Sequence, residues 1–135
     1  GTKGSPIWVH GGVAFGPKPR DVYYDIPKKV RKKAIKESFL MKVRDDEVII
    51  ADVLDVNEPK TKLANDLLKR LNLSGSKVLM VTSKIKSNLI LSIRNIKKVS
   101  VLPVNELNPM TIINAGKLVF EKEAYQEFEK NYLNK

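Results

Sequence analysis

The chain has 135 residues, with 25 basic and 15 acidic side chains, a formal net charge of +10 and no cysteine. That length supports one domain with its own core, and the lack of cysteine excludes disulfides and thiolate metal sites while fitting a reducing cytosol or organelle matrix. So large a positive excess favours a polyanionic partner, and it is lopsided: residues 1–44 hold eleven basic and three acidic side chains, a net of +8, whereas the remainder nets +2.

Ser5 to Arg20 reads SPIWVHGGVAFGPKPR, too rich in glycine and proline for a helix or strand, yet it carries Ile7, Trp8, Val9, Val13, Ala14 and Phe15. Gly11, Gly12 and Gly16 let the backbone take positive φ or approach another surface closely, while Pro6, Pro17 and Pro19 remove donors and stiffen the path. Residues 1–20 are therefore expected to form an extended basic arm with few local hydrogen bonds, and residues 21–135 the globular domain. Trp8 suits either base stacking or apolar packing. His10 suits either contact with RNA or simple loop packing.

The next segment reads as a helix from Pro27 to Arg44, with Pro27 in its first turn. Val30, Ala34, Ser38 and Met41, with Ile35 and Phe39 beside them, recur at helical spacing and predict a buried stripe. Lys28, Lys29, Arg31, Lys32, Lys33 and Lys36 cover most of the rest, and no acid lies between 28 and 36. Solvated helix faces normally mix signs, and like charges at i, i+4 repel by roughly a few tenths of a kcal/mol per pair. Phosphate binding is the expected compensation.

Downstream, strand and helix signals alternate. Strands are predicted over Val48–Val53, Val78–Val81, Val99–Val104 and Leu118–Phe120. Helices are predicted over Pro59–Leu73, punctuated by Gly75, over Leu89–Ile96, from an Asn108 cap to a stop at Gly116, and over Lys122–Leu133 with Ala124, Phe128 and Tyr132 inward. This order predicts a three-layer α/β fold: a mostly parallel four-stranded sheet flanked by helices, carrying the basic N-terminal arm. Right-handed crossovers narrow the strand order without selecting one.

Ligand sites in such sheets lie beyond the carboxyl ends of the strands, yet no GxGxxG or GxxxxGK[ST] phosphate cradle follows any strand. Asp52 and Asp55 are the polar pair there that could serve magnesium or acid-base chemistry, against a plainer role in loop solvation and capping. His10 is the only histidine, so a His-rich metal site is excluded. No cofactor, metal or small-molecule substrate is expected. No apolar run approaches the roughly 18 residues needed to span a bilayer and no signal peptide is read, so a soluble chain without a membrane partner is expected.

SPIWVHGGVAFGPKPRD followed by PKKVRKKAIKES strongly resembles the ribosomal large-subunit protein four family of the bacterial and organellar type. EPKTK at 58–62, IRNI with KKV at 93–99 and LPVNELNP at 102–109 continue the resemblance in order, over essentially the whole chain. The resemblance implies a non-enzymatic α/β protein that binds large-subunit rRNA beside neighbouring ribosomal proteins, supports subunit assembly, and sends a basic extension toward the peptide exit tunnel. It places Lys3, Ser5, Trp8, His10, Lys18 and Arg20 among rRNA strands, joined by the basic helix, on a ribosome in the cytoplasm or an organellar matrix. Gly4 departs from a commonly basic position, and the family's outgoing arm and tunnel-lining tip are expected outside this sequence. Two alternatives stand beside it: a regulator that binds a messenger-RNA leader, and an α/β enzyme or ligand-binding domain using Asp52 and Asp55.

Overall fold

A computed structural model describes residues 2–56 and 58–133; Gly1, the first residue of the expected arm, lies outside them. Chain order is helix α1 (Lys28–Arg44), strand β1 (Val48–Ala51), α2 (Thr61–Arg70), β2 (Val78–Thr82), α3 (Ser87–Ile93), β3 (Val99–Pro103), α4 (Pro109–Asn114), β4 (Lys117–Glu121) and α5 (Lys122–Phe128). A 3-10 turn, Val104–Glu106, follows β3, and a wide π-type turn, Glu129–Leu133, follows α5. Every predicted helix and strand is present in order, with ends shifted by a few residues.

The sheet order is β1-β4-β2-β3, and all three pairings are parallel. Moving from β1 to β2 to β3, the chain crosses on the α2 and α3 face; it then reverses into the gap between β1 and β2 through α4 on the other face. A change of direction coupled to a change of face is what a single crossover hand requires. All of β2 and nearly all of β4 are buried, which explains their continuous apolar runs: both sides of a central parallel strand are covered by helices.

Side chains alternate between two cores. Leu79, Val81, Leu118 and Phe120 meet Ile35 and Phe39 of α1, Ile112 of α4, and Ala124 and Phe128 of α5. Val78, Met80 and Val119 meet Ala64 and Leu68 of α2 and Leu89 and Ile93 of α3. The first core is aromatic at its centre: Phe39 stands edge-on to Phe120 at 5.6 Å and lies 4.9 Å from Phe128. Such pairs add about 0.5–1.5 kcal/mol each beyond their area, and they pin the C-terminal half of α1.

Several local expectations are corrected. Pro27 stands at the cap of α1, one residue before the first turn. The predicted stripe of α1 is only half covered: Ile35, Ser38 and Phe39 are buried, whereas Val30, Ala34 and Met41 are exposed. Among the described residues none before Ile35 is buried, so the first two turns of α1 stand clear of the core. Helix α2 ends at a left-handed Asn72 (φ 55°), before Gly75 is reached. Leu73 N–H then donates to Leu68 C=O at 2.9 Å and Asn72 N–H to Lys69 C=O at 3.0 Å, satisfying two helix-end carbonyls. The last helix widens at Glu129, so Tyr132 sits half-buried at the core's margin. Asn108 caps α4 as expected, accepting from Thr111 N–H at 2.8 Å.

Candidate nucleic-acid interface

Residues 2–27 form no helix or strand, and none of them is buried. Residues 2–12 turn back on themselves. Successive turns place Ser5 N–H on Thr2 C=O, Trp8 N–H on Ser5 C=O and Gly11 N–H on Trp8 C=O, and Gly12 N–H closes the loop on Gly4 C=O at 2.7 Å. The close approach that the glycines permit is therefore to the chain's own backbone. A side chain at Gly11 would run into the Ser5 carbonyl oxygen, whereas positive φ falls on Gly4 and His10. Pro6 lies within these turns and Pro17 and Pro19 beyond them; from Val13 onward the path is open.

The loop presents rather than hides its side chains. Trp8 is 63% exposed and Phe15 94% exposed, so neither anchors the segment to the domain. Lys3, His10, Lys18 and Arg20 are likewise exposed, and Ser5 is half-buried within the turns. The loop-packing alternatives for Trp8 and His10 find no support in these positions.

The helix divides its basic residues into two sets. Lys29, Lys32, Lys33 and Lys36 fall at i, i+3, i+4 and i+7, hence on one face, and together with Glu37 they wall a groove of about 560 Å³. Its other wall is Asn131 and Tyr132 of the C-terminal turn. Lys36 Nζ donates to Leu133 C=O at 3.4 Å and holds that turn against α1. Arg31 lies off this face and is partly neutralised: its guanidinium meets Asp25 Oδ1 at 3.0 Å, a carboxylate that also accepts from the Tyr23 hydroxyl at 2.9 Å. Lys28 is exposed beside it at the helix start, where α1 has no acid in its first turn and no side-chain cap. Unsatisfied amides and the helix dipole add positive potential at that end.

Sequence reasoning identified the lysines and missed the wall they face. Tyr132 carried only a core periodicity and Asn131 no signal at all, because nearly a hundred residues separate them from Lys33.

Beyond β1, Asp55 lines a smaller hollow of about 310 Å³ with Asp66 and Arg70. Asp55 Oδ1 accepts its neighbour's Val56 N–H at 2.8 Å, and Asp52 is fully exposed, with Lys122 3.9 Å away. Among the described residues no group of three His, Cys, Asp or Glu side chains could hold a metal ion. Lys86 Nζ bridges Glu121 Oε1, at the end of β4, at 2.6 Å and Leu54 C=O, beyond β1, at 3.0 Å. No helix among the described residues is long and apolar enough to cross a membrane.

The profile of the ribosomal protein L4/L1 family matches residues 1–131. The chain is 40% identical over 132 residues to the large ribosomal subunit protein uL4 of Thermoanaerobacter sp. (strain X514), covering 98% of this chain and 63% of that protein. It is 42% identical to the same-named protein of Alkaliphilus oremlandii, with the same coverage, and 41% identical to that of Halothermothrix orenii over 130 residues, covering 96% of this chain and 62% of that protein. The chain thus spans less than two thirds of the length of these relatives. A match over nearly every residue, at this identity and on an α/β sheet of the expected kind, means that the chain belongs to the ribosomal protein L4/L1 family.

Proposed function

We propose that this chain is the rRNA-binding body of a large-subunit ribosomal protein, a structural constituent and not an enzyme, working on the ribosome in the cytoplasm. The observation that carries this reading is α1: its first two turns stand outside the core and carry Lys28, Lys29, Arg31, Lys32 and Lys33 with no acid among them. Lys3, Lys18 and Arg20 continue the same positive surface on the segment before it. Ser5, Trp8 and His10 add hydrogen-bonding and stacking groups on the loop, and Lys36 closes the row on α1. The α/β body fixes the orientation of α1, and neighbouring ribosomal proteins are the further partners. In the assembled subunit the chain supports assembly and the region near the peptide exit tunnel. The relatives' shared name, large ribosomal subunit protein, supports this assignment.

Attachment of this kind is driven by counterion release. With about six phosphates neutralised, log K falls against log salt with a slope of roughly −4 on single-stranded segments. A titration against large-subunit rRNA fragments measures it directly, and replacing Lys28, Lys32 and Lys36 with Gln is expected to weaken binding across sequences and flatten the slope. A slope near zero in the native chain overturns the proposal.

A further inference from the structure

We infer that the groove between α1 and the C-terminal turn is a subsite for one unpaired RNA nucleotide, its base stacked on Tyr132 and its phosphates held by Lys29, Lys32 and Lys33. This rests on the RNA-binding reading above and narrows it to a place and a strand type. The groove's volume, about 560 Å³, lies in the range of small-molecule sites. Four ammonium groups against one carboxylate, Glu37, leave this wall strongly positive and favour an anion; Lys36 also donates to Leu133 C=O.

The facing wall selects what kind of anion. Tyr132 packs its ring on Phe128 at 5.0 Å between centroids, tilted 35°, while remaining half-buried and lining the groove. A ring held from one side and reached from the other is a stacking platform, and a basic groove beside an aromatic platform is how single strands are bound. Asn131, also on this wall, offers both a donor and an acceptor to a base edge. The wide turn at Glu129–Leu133 is what brings both residues to α1, and such π-type turns are frequent at functional sites. Bases inside a duplex hide their faces in the stack, so the platform serves only an unpaired one. An acidic polypeptide would satisfy the lysines and leave the ring unused.

The test uses the 135-residue chain with a short oligouridylate carrying 5-bromouridine, a short RNA duplex, and polyglutamate. Irradiation of the native complex is expected to cross-link Tyr132. Tyr132→Leu, which keeps an apolar contact for Phe128, is expected to weaken oligouridylate binding about tenfold and to leave duplex and polyglutamate binding unchanged, whereas Tyr132→Phe retains native affinity. Should the leucine variant fail to fold, the cross-link in the native chain decides alone. Salt-dependent binding with cross-links elsewhere and native affinity in Tyr132→Leu overturns the subsite and leaves the RNA-binding reading standing. Polyglutamate binding with the same Tyr132 dependence overturns it in favour of an acidic partner. Failure of the native chain to bind either RNA overturns both readings.

Discussion

Lys86 and Glu121 show how much can depend on one residue. Glu121 ends β4 with its side chain only 6% exposed, and its single ionic partner among the described residues is the Lys86 ammonium at 2.6 Å. Its second carboxylate oxygen is buried without a hydrogen-bond partner among the described residues. Buried charges persist only while paired, and removing one partner leaves the other desolvated and unsatisfied. Lys86→Met is therefore expected to destabilise the domain by about 3 kcal/mol in urea denaturation, and adding Glu121→Leu to recover most of the loss. Equal instability of the single and double variants would show that packing, and not the stranded carboxylate, carries the cost. Gly11 is a second such position, because any side chain there meets the Ser5 carbonyl and opens the N-terminal loop.

Among the elements, the join between α1 and β1 couples a helix stop to an ion pair. Asp46 takes a left-handed conformation (φ 53°), Asp46 N–H donates to Val43 C=O at 3.2 Å, and Glu47 N–H donates to Lys42 C=O at 3.0 Å. Where this motif usually carries an apolar contact, Lys42 Nζ instead meets Glu47 Oε2 at 2.6 Å. That hydrogen bond, aided by the charges of Lys42 and Lys117 and opposed by partial desolvation, holds the Glu47 carboxyl below its ordinary value of 4.5. A lowered folded-state value means the unfolded chain takes up the proton first. The contribution is complete above the ordinary glutamate range and disappears as pH falls through the folded value. Thermal melts should therefore show Glu47→Gln less stable than the native chain at neutral pH, with the difference closing in acid.

Such elements were largely legible from sequence because their signals are local. Asn108 with Pro109 marked one helix start, and short apolar runs marked each strand. Periodicity states which residues share a face, but not whether anything covers that face, so Val30 and Met41 were assigned to a core that does not reach them. Strand order was illegible because the same alternation suits several parallel sheets, and only the β4 return between β1 and β2 decides it. The basic half of the site was read from charge spacing alone. Its aromatic half depends on topology, which no local pattern reports.

Across the whole molecule, charge and stability are held in different places. The two cores draw on nothing before Ile35, while residues 1–44 carry most of the net charge. Deleting residues 1–20 is accordingly expected to leave a cooperative thermal transition near the native midpoint. It removes Lys3, Lys18 and Arg20, so the salt slope on single-stranded RNA should shrink by about two. Loss of the cooperative transition in circular dichroism would instead place the N-terminal loop within the fold.

The exposed, acid-free start of α1 gives added salt two opposite effects on one helix. At about 0.1 M the screening length is near 10 Å, enough to soften the mutual repulsion of lysines one turn apart and so to steady the first turns of the free helix. The same ions compete for the phosphates that those lysines are proposed to hold. Ionic strength thus orders the free helix while it loosens the bound one, and helicity and affinity move in opposite directions in a single titration.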